Sequence, residues 1–579
     1  MNYKWKLQTL TPQDQAAADN LSAKLGISPV ISAILCRRGI KTVQAARHFF
    51  NPHLTELHDP FEMKDMYKAV NRLNQAIGMK EKILVYGDYD VDGCTAVTLV
   101  YKFLREFYSN VGYYIPDRYE DGYGISFKAI DRAANLGVKV IIILDCGIKA
   151  IDEIAYAAER GIDFIVCDHH VPDTQLPPAH AILDPKRKDE TYPYHDLSGC
   201  GIGFKLMQAF ALDNGIEFNR LSPLLELCAI SIAADLVPVT GENRILAYHG
   251  LRQLNASPSV GIQAIINVCG LEGKEIGMPD IIFRLGPRIN ASGRVQNGSE
   301  TIDLLIERDL DTALEKADRI NTYNEARKDI DRQMTDEANS IVDKITNLDD
   351  RRSIVVYNRE WHKGVVGIVA SRLTELYYRP TVVLALDEEG NLTGSARSVA
   401  GFDIYSGIES CKDLLENFGG HTYAVGLTLK EENIKPFIQR FEDYVEQHIQ
   451  DEQTSAKLDI EANLSFSIVT PEFYQQLKRL RPFGPENTEP LFCTTNVYDY
   501  GTSKVVGRGQ EHIKLELVDN KSNNILSGIA FGQSGHARFI KTRHAFNICY
   551  TIAENTYKHG EIQLQIEDIQ PADTQPAKQ

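Results

Sequence analysis

No apolar run in this chain approaches the roughly 20 residues that a membrane-spanning helix requires, so no such helix is expected. The opening stretch, MNYKWKLQTLTPQDQ, has neither the apolar core nor the small-residue cleavage site of a secretory signal. There is no C-x-x-C pair, although the chain holds 10 cysteines, and Cys94, Cys146 and Cys167 lie beside acidic residues in stretches that read as strands and turns. Cysteine scattered in this way indicates reduced thiols rather than a disulfide framework. A soluble, cytoplasmic protein is expected. Positive charge is in short supply: 62 Lys and Arg face 79 Asp and Glu, giving a net charge of −17 and a pI near 5.4. That excludes a nonspecific coat for nucleic acid but leaves room for a local basic channel. Heptads, solenoid periods and low-complexity tracts are also missing. With 43% hydrophobic and 24% charged residues, the 579-residue chain can build ordinary cores in about three or four domains.

The most informative stretch is KILVYGDYDVDGCTAVT, residues 82–98. Ile83 to Tyr86 reads as a buried strand, Gly87 ends it, and Asp88, Asp90 and Asp92 follow at alternate positions before Gly93. These carboxylates sit at the carboxyl end of a strand, the edge where open α/β sheets place their chemistry. They repel one another unless a cation lies among them, and oxygen ligands suit Mg²⁺ or Mn²⁺. From this turn alone, a solvated acidic loop capped by Asp92 is an equal alternative.

Recurrence shifts the balance. From Phe61 to Ala234 strands (Ile83–Tyr86, Val111–Ile115, Val140–Leu144, Phe164–Cys167, Ala181–Leu183) alternate with helical stretches, which predicts a mainly parallel sheet covered on both faces. Asp145 follows the run IIIL, and Asp168, His169 and His170 follow Ile165–Cys167. Asp235 follows Ile230–Ala234. Carboxylates and imidazoles converging in this way fit two metals about 4 Å apart that clamp a phosphoryl group and activate water. The alternative for the two histidines is a helix cap and a satisfied core side chain.

Around this block the chain divides further. Residues 1–60 read as a helical lead-in, 61–300 as the α/β domain and 301–350 as one or two long helices without Gly or Pro. Residues 351–450 read as a second α/β lobe and 455–570 as an OB-type β-barrel, followed by a disordered tail at 571–579. In the second lobe, His362 and Lys363 precede a helix amino terminus, a ready anion site. Arg288, Asn290 and Arg294 lie in GPRINASGR, where two arginines can straddle a nucleic-acid backbone or stack on a base, or else occupy surface turns. In the barrel region Tyr498, Tyr500, Lys504, Arg508, Lys514 and Phe531 are candidate strand contacts; core packing is the usual place for such aromatics.

GDYDVDG, LDCG, DHH and AADLVP, with YIPDRYEDGYG, LSGCGIGFKL, LGPRINASGR, WHKGVVGIVASRL, GSARS and GGHTYAVG, occur in this order along nearly the whole chain. Together they resemble the DHH phosphoesterase superfamily and, within it, the bacterial 5′→3′ exonucleases specific for single-stranded DNA. The resemblance implies a DHH catalytic domain, a DHHA1-like substrate-binding lobe and an OB-fold domain, with a groove between the lobes too narrow for a duplex. It implies two divalent ions, Mn²⁺ or Mg²⁺. Asp88, Asp90 and Asp145 would hold one, and Asp92, Asp145, His169 and Asp235 the other, with Asp145 bridging. His170 would contact the scissile phosphate or orient the site. Where this chain has Tyr86, relatives often have His, which implies more water on the nearby metal. Arg118, locally readable as an ion pair with Glu120 or Asp121, would contact a 5′-phosphate together with Ser395 and Arg397. His421 of GGH would be a substrate contact rather than a metal ligand. Roles in DNA repair and recombination, a RecQ-type helicase and a single-strand binding protein as partners, and a monomeric state complete the expectation. The alternative within the superfamily is a phosphodiesterase for short oligonucleotides or cyclic dinucleotides.

Overall fold

The computed structural model describes residues 3–117, 124–295, 298–345, 351–387, 389–542, 544–555, 560–572 and 577–578. The chain forms two compact units. One is built from His48–Arg327 and Arg481–Thr488, the other from Met1–Arg47, Lys328–Leu480 and Glu489–Gln579.

In the first unit, strands Lys82–Gly87 (β1), Val111–Tyr114 (β2), Val138–Leu144 (β3), Asp163–Cys167 (β4) and Ala181–Leu183 (β5) form a parallel sheet in the order β2-β1-β3-β4-β5. The sequence VKVIIIL explains why β3 is central. Val140, Ile142 and Leu144 enter the core on one face, and Ile141 and Ile143 enter the core on the other. Helices Val91–Phe107 (α1), Gly199–Asp213 (α2) and Leu225–Ala234 (α3) contribute to the larger core. Asp90 caps α1 by accepting from the Gly93 amide at 3.0 Å, so the acidic turn itself begins the helix.

Two expectations change. GPRINASGR is not a loop but a helix, Gly286–Val295 (α4), entered through a π-helical turn at Ile281–Leu285. Its glycines permit close packing: a Cβ at Gly293 would lie 2.9 Å from the Tyr89 carbonyl oxygen. Residues 481–488, expected in the β module, join the first unit, where the Val239 amide donates to the Pro485 carbonyl at 2.9 Å. Arg244 donates to the Phe49 and Arg481 carbonyls, both at 2.9 Å.

In the second unit, strands Ile354–Asn358 (β6), Thr381–Leu386 (β7), Asn391–Arg397 (β8), Leu415–His421 (β9) and Ala424–Lys430 (β10) run in the order β9-β10-β8-β7-β6. Strands Phe492–Asp499 (β11), His512–Asp519 (β12), Ile525–Ala530 (β13), Phe546–Glu554 (β14) and Ile562–Pro571 (β15) close into a barrel, because β11 pairs with both β14 and β12. Alternation in HIKLELVD, with Ile513, Leu515 and Leu517 buried, places one face of β12 inside. The 301–350 stretch resolves into Ser299–Leu305 and a 33-residue helix, Leu310–Val342 (α5). The lead-in is not purely helical. Strand Lys4–Leu7 pairs in parallel with Lys457–Ile460, Trp5 Nε1 donates to Asp568 at 2.7 Å, and Ala577–Lys578, expected to lack order, pairs with Lys6–Leu7. No helix among the described residues is long and apolar enough to cross a membrane.

Candidate metal centre

Each acidic motif sits where a strand of the parallel sheet, or a helix packed on it, ends. The ladder extends one residue past the named strands: the Asp145 amide donates to the Cys167 carbonyl at 2.9 Å and the Asp168 amide to that of Leu183 at 3.1 Å. Asp145 then turns with φ 62°, a left-handed conformation that Asp and Asn tolerate better than most residues. Gly93 is obligatory in the first turn, since a Cβ there would come within 2.4 Å of the Asp88 carbonyl oxygen.

The side chains converge into three groups whose ligand atoms lie within 4.8 Å of one another: Asp88, Asp90 and Asp145; Asp92, His169 and Asp235; and Asp145, His169 and His170. His169 is buried, and its Nε2 lies 3.1 Å from Asp145, 3.5 Å from Asp235 and 3.9 Å from Asp92 without a hydrogen bond of adequate geometry. Burial, and then the charge of His170, depress the His169 pKa to about 3, so the ring presents a neutral nitrogen at neutral pH. Burial and crowding push the carboxyls the other way. Asp92 is raised to about 6 by burial and Asp90, Asp235 to about 8 by burial, Asp92 and Asp90, and Asp145 well above the usual range by burial and four neighbouring acids. A divalent cation would reverse the shift of the carboxyls, favouring their ionised form, and would reinforce that of His169, whose neutral nitrogen can bind it. A neutral imidazole among crowded carboxylates therefore fits Mn²⁺ or Mg²⁺.

The residue pattern drew attention to His169 and His170 but not to what orients them. Asp168 accepts from the His169 and His170 amides at 2.8 and 3.1 Å, from the Ile148 amide at 3.0 Å and from His170 Nδ1 at 2.7 Å. Burial opposes both charges, yet this bond wins: His170 is raised to about 9 and Asp168 lowered to about 2. Ser198, Gly199, Cys200 and Ser231, which surround Asp92, were also missed. The N-cap pattern of LSGCG was a local signal for the first three, and Ser231 had none.

Tyr86 is buried and donates to the Gly124 carbonyl at 2.8 Å, stacking on Tyr114 with ring centroids 5.5 Å apart. Its hydroxyl is thus engaged away from the acids. Tyr86→Phe is expected to keep full Mn²⁺ binding and to lose about 1–2 kcal/mol in urea unfolding, the cost of a stranded carbonyl. Loss of bound Mn²⁺ in a titration of that variant would make Tyr86 a ligand after all.

The predicted substrate residues divide. Arg118 and the side chain of Arg294 lie outside the described residues. Arg288 turns inward: only 9% exposed, it donates to Asn321 and the Arg284 carbonyl, both at 2.9 Å, and to the Val268 carbonyl at 3.4 Å. These bonds help to hold α4 in place. Asn290 is half-buried on the same helix. In the other unit, Arg397 donates to Ser395 and to the Ala396 carbonyl, and burial lowers its pKa. A Cβ at Gly367, near the start of helix Val366–Tyr377 (α6), would lie 3.0 Å from Arg397 Nη2. His362 Nδ1 accepts from the Gly364 amide at 3.1 Å just before that helix. The register His421–Ala424–Arg397 puts His421 in the same row as Arg397, two strands away and exposed. Tyr500 and Phe531 are both more than half exposed, so neither is a barrel-core residue.

Three domain families match the chain: the DHH family N-terminal domain over residues 82–232, the DHHA1 domain over 350–447 and the RecJ OB domain over 460–568. Among characterised relatives, the single-stranded-DNA-specific exonuclease RecJ of Bacillus subtilis is 36% identical over 90% of this chain, which spans 65% of that protein's length. The RecJ proteins of Haemophilus influenzae and Escherichia coli are 32% and 33% identical, with 91% and 87% of this chain aligned to 95% and 89% of theirs. Among solved structures, RecJ from Thermus thermophilus in complex with Mn²⁺ superposes with a TM-score of 0.84 at 24% identity, covering 99% of this chain and 80% of the other. An exonuclease RecJ bound to manganese gives a TM-score of 0.59 at 29% identity over 69% of this chain and 97% of the other.

Proposed function

Because the chain belongs to the RecJ family, we propose that it is a metal-dependent exonuclease that degrades single-stranded DNA from the 5′ end to 5′-mononucleotides. One observation carries the chemical part: Asp145 groups with Asp88 and Asp90 and also with His169, which itself groups with Asp92 and Asp235, so a single carboxylate could bridge two divalent ions. Asp88, Asp90 and Asp145 would hold one ion, and Asp92, Asp145, His169 and Asp235 the other. When bound, such ions supply Lewis-acid activation of the phosphodiester and of the attacking water.

The protein's own residues do the rest. His169, neutral by burial, aims Nε2 into the centre. His170, held positive by Asp168 and with a third of its side chain exposed, would contact the scissile phosphate or orient the site. Asp168 fixes both rings through the backbone. The 5′ polarity rests on the family resemblance. It assigns 5′-phosphate contacts to Arg118, Ser395 and Arg397 and a substrate contact to His421; Asn290 and Arg294 of the catalytic unit and His362 of the other are further proposed substrate contacts. Arg288, held here by Asn321 and two backbone carbonyls, is proposed as a substrate contact from the same helix as Asn290. The proposal extends to a cytoplasmic monomer that works in repair and recombination beside a RecQ-type helicase and a single-strand binding protein.

The test is a single-stranded oligonucleotide of several tens of bases with a 5′-phosphate and a 3′ label, with Mn²⁺ or Mg²⁺ supplied or withheld. Stepwise shortening from the 5′ end, dependent on metal and not seen on a blunt duplex, is expected. Intact long DNA with rapid cleavage of dinucleotides would overturn the proposal in favour of a small-substrate phosphodiesterase.

A further inference from the structure

Asp92 is held by three hydrogen bonds from residues far away in the chain. Its Oδ1 accepts from the Cys200 amide at 2.7 Å and from Ser231 Oγ at 2.8 Å, and its Oδ2 accepts from the Gly199 amide at 2.7 Å. An ionised carboxylate has about four acceptor positions. Three are filled here, and both on Oδ1 are taken, so only Oδ2 can face His169 Nε2, 3.9 Å away. Two of the donors are the first amides of α2, where the helix dipole favours an anion. The third is a fully buried side chain on a different helix.

The two serine hydroxyls lie together beside the carboxylate. Ser198 Oγ accepts from the Gly201 amide at 3.1 Å and lies 2.6 Å from Ser231 Oγ. The single hydroxyl hydrogen of Ser231 has two acceptors within reach, Ser198 Oγ and Asp92 Oδ1, of which the ionised carboxylate is the stronger. Ser231 sits in the last turn of α3, and its carbonyl accepts from the Asp235 amide at 2.9 Å. One serine thus binds Asp92 with its side chain and Asp235 with its backbone. Those two acids share a ligand group with His169. Gly199 leaves no slack on the opposite side, since a Cβ there would lie 2.7 Å from Asp145 Cβ.

We propose that Ser231 is a positioning residue of the Asp92–His169–Asp235 group: its hydroxyl restricts Asp92 to coordination through Oδ2 and ties to that carboxylate the helical turn that carries Asp235. The inference rests on the metal reading above. Without the hydroxyl, Oδ1 gains an open acceptor position, the carboxylate can turn about its Cβ–Cγ bond, and the spacing to Asp235 is set by packing alone.

The test is Mn²⁺ binding to the full chain, by calorimetry and by the paramagnetic resonance of free Mn²⁺, for wild type, Ser231→Ala and Ser231→Cys. Cysteine fills the space with a weak donor and serves should alanine fail to fold. Both variants are expected to weaken one class of Mn²⁺ site by about 10-fold or more, the scale of lost outer-sphere partners, and to leave the other class within about 2-fold. A purely structural serine would lower the unfolding midpoint in chelator and leave both affinities unchanged, and that result overturns the proposal. Wild type binding no Mn²⁺ would instead overturn the metal reading itself.

Discussion

Asp145→Asn is expected to reduce hydrolysis of single-stranded DNA by roughly 10³-fold or more, beyond the 10–100-fold typical of outer-sphere partners, and to weaken Mn²⁺ binding in both ligand groups together. Asp145 shares one group with Asp88 and Asp90 and another with His169 and His170, and it lies 3.1 Å from the His169 Nε2 that also serves Asp92 and Asp235. Asparagine is the informative replacement because it keeps the shape and tolerates φ 62°. The structure adds a second, opposite expectation. Burial and four neighbouring acids raise the Asp145 pKa. A carboxyl whose folded pKa exceeds its unfolded value favours folding only below the unfolded pKa, and that contribution is lost as pH rises through the folded value. At neutral pH and without metal, the neutral amide should therefore unfold no earlier than wild type in urea. More than a tenth of wild-type activity, or an early-unfolding apo protein, would contradict the assignment.

Glu242→Ala should be the most destabilising single change in the catalytic unit, at about 3–5 kcal/mol in urea unfolding. Lys205 and Glu242 are 0% and 1% exposed, with Nζ to Oε1 at 3.0 Å. Lys205 also donates to the His58 carbonyl at 2.6 Å, and Glu242 accepts from the Tyr192 hydroxyl at 2.6 Å and the His58 amide at 3.0 Å. Removing the acid strands a buried ammonium that burial already disfavours. Lys205→Met combined with Glu242→Leu removes both charges and should cost clearly less than Glu242→Ala. If the double variant is the worse of the two, the charges matter through their attraction rather than through the cost of isolating one.

What could be read in the sequence was whatever a few neighbouring residues decide. Apolar runs ending in Gly and Asp gave the strands and the acids at their ends, because β-propensity and turn chemistry act locally. Partners far along the chain escaped. Nothing near Ser231 marks it as a neighbour of Asp92, 139 residues away. Arg288 looked free beside its glycines, but Asn321 and two carbonyls claim it. Pro and Gly in LRPFGPENTEP marked a turn correctly yet could not say that residues 481–488 join Val239. GPRINASGR read as loop because glycine disfavours helix, and packing of Gly293 against Tyr89 outweighed that preference.

Strand Lys4–Leu7 has a consequence for synthesis. Its partner, Lys457–Ile460, leaves the ribosome about 450 residues later, roughly 20–90 s at about 5–20 residues per second. For that interval the indole of Trp5 has no Asp568 and no barrel wall to cover it. The unit containing the acidic centre is drawn from residues after Arg47, and most of it has been synthesised by Arg327. The nascent chain therefore carries most of the catalytic half while its first strand waits exposed, a ready ligand for chaperones that hold unfinished β-structure. Slowing translation between the two halves should lengthen that exposure and increase the yield of chaperone-bound nascent chains.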